Sequence, residues 1–437
     1  MASFTKPIRL VALTLPVALT TVAHAALPGW DYAELSYAVD GKTSRLGAPV
    51  RPDVSGFAID GAASLNEFVY LRAGTTAWDF SLATLGDIDS QVQDWSRFGA
   101  GVHYPLALNS VELDLWAEVT LDRVGFQSIA SNGFGYAAGA QASFNPQWTL
   151  GVWYRGARTD SEMSGNDIDI DPAAKGVDLF YRINDRVQVR LGRYWGELDL
   201  SSNGGPDEEL DIVVTELGLR YLFDGKASPR STAAPDALGY NSLQFAYALS
   251  GDSDLDGGGT SENVDTDSGV VFDGRIAPWQ NVFIGANYTA ISYDLSDLTG
   301  SDSMVLDDHL SIGPGMFYTL DSGDMKASAY AQVTYDRLTG IQSGIIVNGT
   351  GFRVGVRGAI GMFDAELFFR KAHASESVSG QHIRFKPEAY GLDLAVSPFD
   401  NGLAFTVGYL QQKTDIDAGF EVETDSQNWL LGVRQSF

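Results

Sequence analysis

Asp252, Asp254 and Asp256 stand two residues apart and are followed by Gly257, the spacing that opens a calcium-binding loop. Carboxylates at the first, third and fifth positions supply hard oxygen ligands, and the glycine allows the sharp turn. A complete loop ends in a bidentate glutamate at its twelfth position. Here that position is Asn263, and Glu262 comes one residue early. Calcium or magnesium is the ion such an acidic loop could take; a solvated surface loop is the plainer use of the same residues. Asp167, Asp169 and Asp171 form a similar, sparser cluster. Nucleophilic chemistry has less to work with. His373 shares a strand face with Ser375 and Ser377, but Glu376 points the other way, so no acid orients the imidazole. His309 has no obvious partner, His382 falls in an outer loop, and His103 reads as an interior hydrogen-bonding group. No phosphate-binding glycine loop, no zinc-ligand spacing and no cysteine occur. The chain reads as non-enzymatic.

The elements that would position these residues are strands. Segments of roughly ten residues alternate apolar and polar side chains. In 111–122, Val111, Leu113, Leu115, Ala117, Val119 and Leu121 share one face, and Glu112, Asp114, Trp116, Glu118, Thr120 and Asp122 share the other. A slip of one residue would turn four carboxylates onto the oily face, so the register is firmly specified. In 213–223 the odd positions read as lipid-facing and Glu216, Gly218 and Arg220 as interior. Turn residues at Asn66-Glu67, Asn145-Pro146-Gln147, Asn184-Asp185-Arg186 and Pro278-Trp279-Gln280 alternate with longer polar stretches at 41–53, 83–94, 164–174, 201–210 and 251–268. Short turns on one side and long loops on the other are the pattern of bacterial outer-membrane barrels.

The start of the chain fits that location. Lys6 and Arg9, the apolar run Leu10–Val22 and Ala23-His24-Ala25 have the layout of a secretory signal peptide over 1–25. Beyond it no apolar run is long enough for a membrane helix, which leaves a closed barrel as the way to satisfy every backbone group in lipid. Trp30, Trp78, Trp95, Trp148, Trp153, Trp195 and Trp279 fall near predicted strand ends, where an aromatic belt would lie. Phe437 closes an alternating strand and resembles the terminal aromatic read by the barrel-insertion machinery. The net charge of −27 excludes nucleic-acid binding by charge. It leaves cations, or cations bridging to anionic lipid and lipopolysaccharide, as partners.

The mature chain reads as two copies. Thr120-Leu-Asp-Arg123 matches Thr334-Tyr-Asp-Arg337, Gly176-Val-Asp-Leu179 matches Gly391-Leu-Asp-Leu394, and Gly218-Leu-Arg220 matches Gly432-Val-Arg434. The organisation predicted is therefore all-β: a first barrel repeat at 26–223, a periplasmic linker at 224–239 and a second repeat at 240–437, each of about ten strands. The alternative is one merged barrel of about twenty. Two features favour separate barrels: the linker is longer than the other turns, and the first copy has its own closing Phe223. In the first copy the interior face carries Glu34, Asp60, Glu112, Asp114, Glu118, Asp122, Asp178 and Glu216 against Arg72, Arg97, Arg155, Arg182, Arg190 and Arg220. This near balance predicts an ion-pair network that plugs the lumen. The second interior, with Asp273, Asp336, Glu366 and Asp393 against Lys326, Arg353, Arg357, Arg370 and Arg434, is less charged. Pro314 is expected to interrupt its fourth strand.

The segments Phe57-Ala-Ile-Asp-Gly-Ala-Ala-Ser-Leu-Asn66, Trp95-Ser-Arg-Phe-Gly-Ala-Gly-Val-His-Tyr104 and Gly135-Tyr-Ala-Ala-Gly resemble the small ten-stranded outer-membrane barrels of Gram-negative bacteria, the OmpA/OmpX-like group. The resemblance spans most of 30–223 and implies an envelope-stabilising, adhesive or small-pore role. The functional expectation is a non-enzymatic integral outer-membrane barrel presenting acidic loops. A porin-like channel for small hydrophilic solutes or cations is the alternative.

Overall fold

A computed structural model describes residues 30–45, 54–80, 91–108, 111–126, 129–163, 166–202, 208–223, 238–257, 260–295, 301–323, 325–339, 346–378, 381–398, 402–417 and 421–437. The proposed signal peptide and nearly all of the linker lie outside them.

Twenty strands make up the described structure. The first ten are β1 (Tyr32–Arg45), β2 (Val54–Ser64), β3 (Val69–Phe80), β4 (Gln91–Leu108), β5 (Val111–Phe126), β6 (Ile129–Ser143), β7 (Trp148–Met163), β8 (Asn166–Arg182), β9 (Val187–Ser202) and β10 (Glu208–Leu222). The second ten are β11 (Ser242–Gly257), β12 (Thr260–Trp279), β13 (Val282–Leu295), β14 (Ser301–Asp321), β15 (Met325–Thr339), β16 (Ile346–Ile360), β17 (Phe363–Val378), β18 (Gln381–Val396), β19 (Leu403–Asp417) and β20 (Glu421–Ser436). Within each set of ten, every strand pairs antiparallel with its sequence neighbours, and β10 and β11 do not pair. β1 also pairs with β10, and β11 with β20. The molecule is therefore two closed ten-stranded barrels rather than one barrel of twenty. Backbone pairing between them is confined to two isolated bridges, Met304–Ile129 and Ser301–Met163.

Period-two patterning sets each strand's register. Along residues 114–122 of β5 the buried side chains are Asp114, Trp116, Glu118, Thr120 and Asp122, while Leu115, Val119 and Leu121 are exposed. The oily residues face outward and the ionic ones inward, the inverse of a water-soluble barrel. At the short-turn end Asn66, Asn145 and Asn184 each accept two backbone N–H bonds through Oδ1, which closes the turns. The hairpin after β12 turns one residue later than expected, at Gln280-Asn281, with Asn281 at φ 62°. Pro314 does not interrupt β14. It stays paired with Ile284, and only the β15 ladder lapses over Gly313–Pro314, where proline has no N–H to donate. Both closing ladders carry a bulge at the same place, Ala38/Asp40 in β1 and Ala248/Ser250 in β11. Several stretches expected as loops are strand: 91–94, 166–174, 208–210 and most of 251–268.

The barrels pack side by side through the outward faces of β2–β5 and β11–β15. Phe57 and Ile59 meet Leu243, Phe272, Tyr288 and Leu310 in one buried cluster, and Phe98 stacks on Phe245 at 4.6 Å. Arg123 also points outward here. Its guanidinium binds Asp94 at 2.6 Å and reaches Ser292 of the second barrel at 2.7 Å. Arg337 reaches the opposite way, 5.2 Å from the Phe57 ring. The repeated Thr-x-Asp-Arg motif thus has a divided use. Its threonine and aspartate bond each other inside the barrel, and its arginine crosses to the other barrel.

Candidate functional site

The first lumen is filled in three layers. At the short-turn end Trp30, just ahead of β1, turns into the mouth. It stacks on Tyr70 at 4.0 Å, and its Nε1 donates to Asp114 at 2.7 Å. His103 Nδ1 lies 3.3 Å from the same carboxylate. The middle layer is ionic. Asp60 binds Arg72 at 3.0 Å and Arg97 at 2.5 Å; Glu34 binds Arg190 and Arg220, each at 2.7 Å. Arg190 also binds Asp178 at 2.8 Å and Glu216 at 3.2 Å. Tyr70 donates to Glu118 at 3.1 Å, and Arg72 lies 3.7 Å from it. Beyond, at the far end, the lumen becomes apolar, packed with Trp78, Trp95, Tyr194, Leu198, Ile212 and Val214. The open space left among the ionic residues is about 60 Å³, room for a few waters.

Most of the interior residues expected from sequence therefore meet. Three stay outside the network. Glu112 and Arg182 are only half-buried, and Arg182 Nε has no partner. Arg155 is buried in the lumen but pairs with no carboxylate; it lies 4.1 Å from the Trp95 ring and 5.2 Å from Trp153. The aromatic-belt expectation needs correction. Trp148, Trp195 and Trp279 are on the outer surface, but Trp30, Trp78, Trp95 and Trp153 face inward. Their indole N–H groups donate to carboxylates: Trp95 to Asp122 at 2.5 Å, Trp153 to Asp178 at 2.7 Å and Trp78 to Glu216 at 3.3 Å. An indole N–H buried in a lumen needs an acceptor, which the belt reading overlooked. Parity held the clue, since Trp95 and Trp153 share their strand faces with Arg97 and Arg155.

The second lumen is sealed on the same plan with different residues. Tyr240 takes the place of Trp30, stacking on Phe317 at 3.9 Å and bonding Ser328 at 2.9 Å. Glu366 is the hub. Arg275 grips it with two bonds of 3.0 and 2.6 Å, Arg353 and Arg357 approach to 3.1 and 3.4 Å, and Tyr330 donates at 2.5 Å. Asp273 binds Arg275 and Arg353, Arg434 binds Asp364, and Arg370 binds Asn287 and Gln412 at 2.6 and 3.0 Å. Arg275 was missed in the sequence although it shares its strand face with Asp273. His309, which seemed unpartnered, bonds Asp336 at 2.7 Å. Lys326 sits at the mouth, 3.8 Å from the exposed Asp321.

The calcium-type segment is not a loop. Asp252, Asp254 and Asp256 lie along β11 in a hairpin with β12, opposite Asp265, Asn263 and Ser261. Glu262 pairs with Leu255 and so lies on the other face from the aspartates, because alternation in an extended strand separates neighbours that a wrapped loop would gather. Asn263 Nδ2 donates to Asp254 at 2.8 Å and to Asp252 at 3.3 Å. Glu197, Asp199 and Glu209 form a denser exposed group, on the outward face of β9 and β10 beyond Trp195. His373 is exposed. Ser377 lies beside His382 instead, at 3.3 Å, and among the described residues no carboxylate bonds that imidazole.

No protein-family description and no curated protein matches the chain. Solved structures do. The ferripyoverdine receptor of the outer membrane of Pseudomonas aeruginosa aligns at 12% identity and TM-score 0.33, over 90% of this chain and 57% of the receptor. Pseudomonas aeruginosa OpdL aligns at 8% identity and TM-score 0.27, over 93% and 98% of the two chains. The outer-membrane phospholipase A of Escherichia coli aligns at 12% identity and TM-score 0.23, covering 43% of this chain and 92% of the enzyme. The chain thus spans little more than half the length of the receptor it matches.

Proposed function

We propose that this chain is an integral protein of a Gram-negative outer membrane whose paired, sealed barrels form a non-enzymatic scaffold. Beyond the lipid it would present acid-rich strand extensions as an envelope or surface-interaction element. The filling of both lumens carries this reading. An aromatic plug, an ionic layer and, in the first barrel, an apolar layer leave no solute path through side chains packed this closely. The exposed apolar surface of Val119, Leu121, Phe134, Val333, Leu367 and Val407 suits a lipid environment, and nothing in a polar one would favour it. Lipid and lipopolysaccharide are the partners on that surface. Phe437 is the contact for the insertion machinery, and calcium or magnesium would act as bridging counter-ions at Glu197, Asp199 and Glu209 and along the Asp252–Asp256 hairpin. Planar-bilayer recording on the purified protein tests the central point. Baseline current without stable steps is expected; large, reproducible single-channel steps would replace the scaffold with the channel reading.

A further inference from the structure

Arg155 is the lumen cation that the network leaves over. It is 8% exposed and lines the polar cavity of the first barrel. Among the described residues it makes no hydrogen bond or ion pair, and its Nε has no partner. The carboxylates nearby are engaged elsewhere: Asp60 by Arg72 and Arg97, Asp178 and Glu216 by Arg190, and Asp122 by Trp95 and Thr120. The flanking indoles cover the faces of the guanidinium, but their N–H groups point to Asp122 and Asp178. Cation–π contact leaves the N–H edge of an arginine unsatisfied. Arg97 and Arg72 repel it, against a weaker attraction from Glu216.

The second barrel shows what is missing. Matching the ladders through Asp60 and Asp273, and through Asp178 and Asp393, places Arg155 at the position of Arg370. Arg370 is held by the amide oxygens of Asn287 and Gln412. The positions equivalent to those amides in the first barrel are Gly74 and Gly196. Both acceptors are gone, the arginine remains, and a cavity of about 60 Å³ adjoins it. A buried charge without a partner is costly, so an acceptor must come from beyond the described residues.

We propose that the first lumen holds a small monovalent anion of the halide class against the N–H edge of Arg155, as a permanent part of its packing. The cavity, with room for a few waters, suits a small ion, and among the surrounding acids a single negative charge is opposed least.

Crystals of the intact protein grown in bromide provide the deciding test: an anomalous peak in contact with Arg155 is expected, and its absence overturns the proposal in favour of water alone. Thermal unfolding of the detergent-solubilised protein gives a second readout at constant ionic strength. The midpoint should climb with each tenfold increase of chloride or bromide over gluconate, as for any ligand that binds only the folded state. Arg155→Gln should abolish that dependence. If the variant keeps it, the halide binds elsewhere and the assignment is wrong; if the variant does not fold, the bromide peak in the unaltered protein decides.

Discussion

The two barrels solve one problem with few shared residues. Each must seal and neutralise a ten-stranded lumen. In the first, the charge centre lies on β1, β8, β9 and β10, where Arg190 gathers Glu34, Asp178 and Glu216. In the second it has moved to β12, β16 and β17, where Glu366 gathers Arg275, Arg353 and Arg357. The ladder positions equivalent to Glu366 and Arg353 in the first barrel are Gly151 and Ala137, and Arg190 corresponds to Thr406. The aspartate of the second strand and the arginine of the tenth persist, Asp60/Asp273 and Arg220/Arg434, as do Asp122/Asp336, Arg155/Arg370 and Asp178/Asp393. The first barrel also carries tryptophans where the second has Tyr240, His309, Tyr330 and Phe368. The lesson is that a sealed lumen constrains charge balance and filled volume, not the identity of the pair at any one rung.

This contrast can be broken most severely at the hubs. Glu366→Ala leaves three guanidiniums around an empty site and should cost about 3–5 kcal/mol, read as a lower urea midpoint for loss of the heat-modifiable folded band. Arg190→Met should cost less, about 3 kcal/mol, because Arg220, Trp153, Trp78 and Ser36 still donate to the three acids it leaves. If Arg190→Met proves the more damaging, the two hubs are not counterparts.

The seam between barrels comes next. A side chain at Gly61 would meet Leu243 of the second barrel, with Cβ 2.5 Å from its Cδ1. Gly61→Leu should destabilise by about 1–3 kcal/mol, and Leu243→Ala in the same chain should recover part of the loss. Additive costs in the double variant would mean the two residues do not touch in the membrane.

The smallest effect belongs to the exposed ladders of β9–β10 and β19–β20. Partial burial, then the charges of Asp199, Glu209 and Asp211, raise the Glu197 carboxyl above its ordinary value. The same rung in the second barrel carries Lys413, which bonds Glu423 at 2.5 Å. A carboxyl whose proton is held more tightly in the folded state gains stability as pH falls through its raised value, and the gain levels off below the ordinary range near about 4.3. The thermal midpoint should therefore rise modestly as neutral solution is acidified toward that range. Glu197→Lys should remove the glutamate's share of that dependence; an unchanged profile would assign it to other groups.

Much of this was legible because strand alternation is a local property of sequence. Strand positions and most of the lumen-facing charges follow from parity, as β5 shows, and the long linker and Phe223 pointed to the separate closure of two barrels. What was not legible depends on partners far apart in the chain. Parity alone gives no sign that Trp95 would find Asp122 or that His309 would find Asp336, since each pairing depends on the register between neighbouring strands. Arg123 and Asp94 are charged residues on a face that alternation assigns to lipid. Only the second barrel lying against that face explains them. The 251–268 segment misled for the opposite reason: its acidic, glycine-rich composition is that of a loop, but pairing with β20 and within its own hairpin keeps it extended.

Phe223 and Phe437 stack ring on ring at 3.8 Å, and their backbone amides bond the carbonyls of Asp31 and Asn241. The start and finish of each closing strand pair therefore converge on one small spot. Order along the polypeptide is then nearly arbitrary. A gene rearranged so that the second half is translated before the first, joined by a comparable tether, would encode every non-covalent contact of the original.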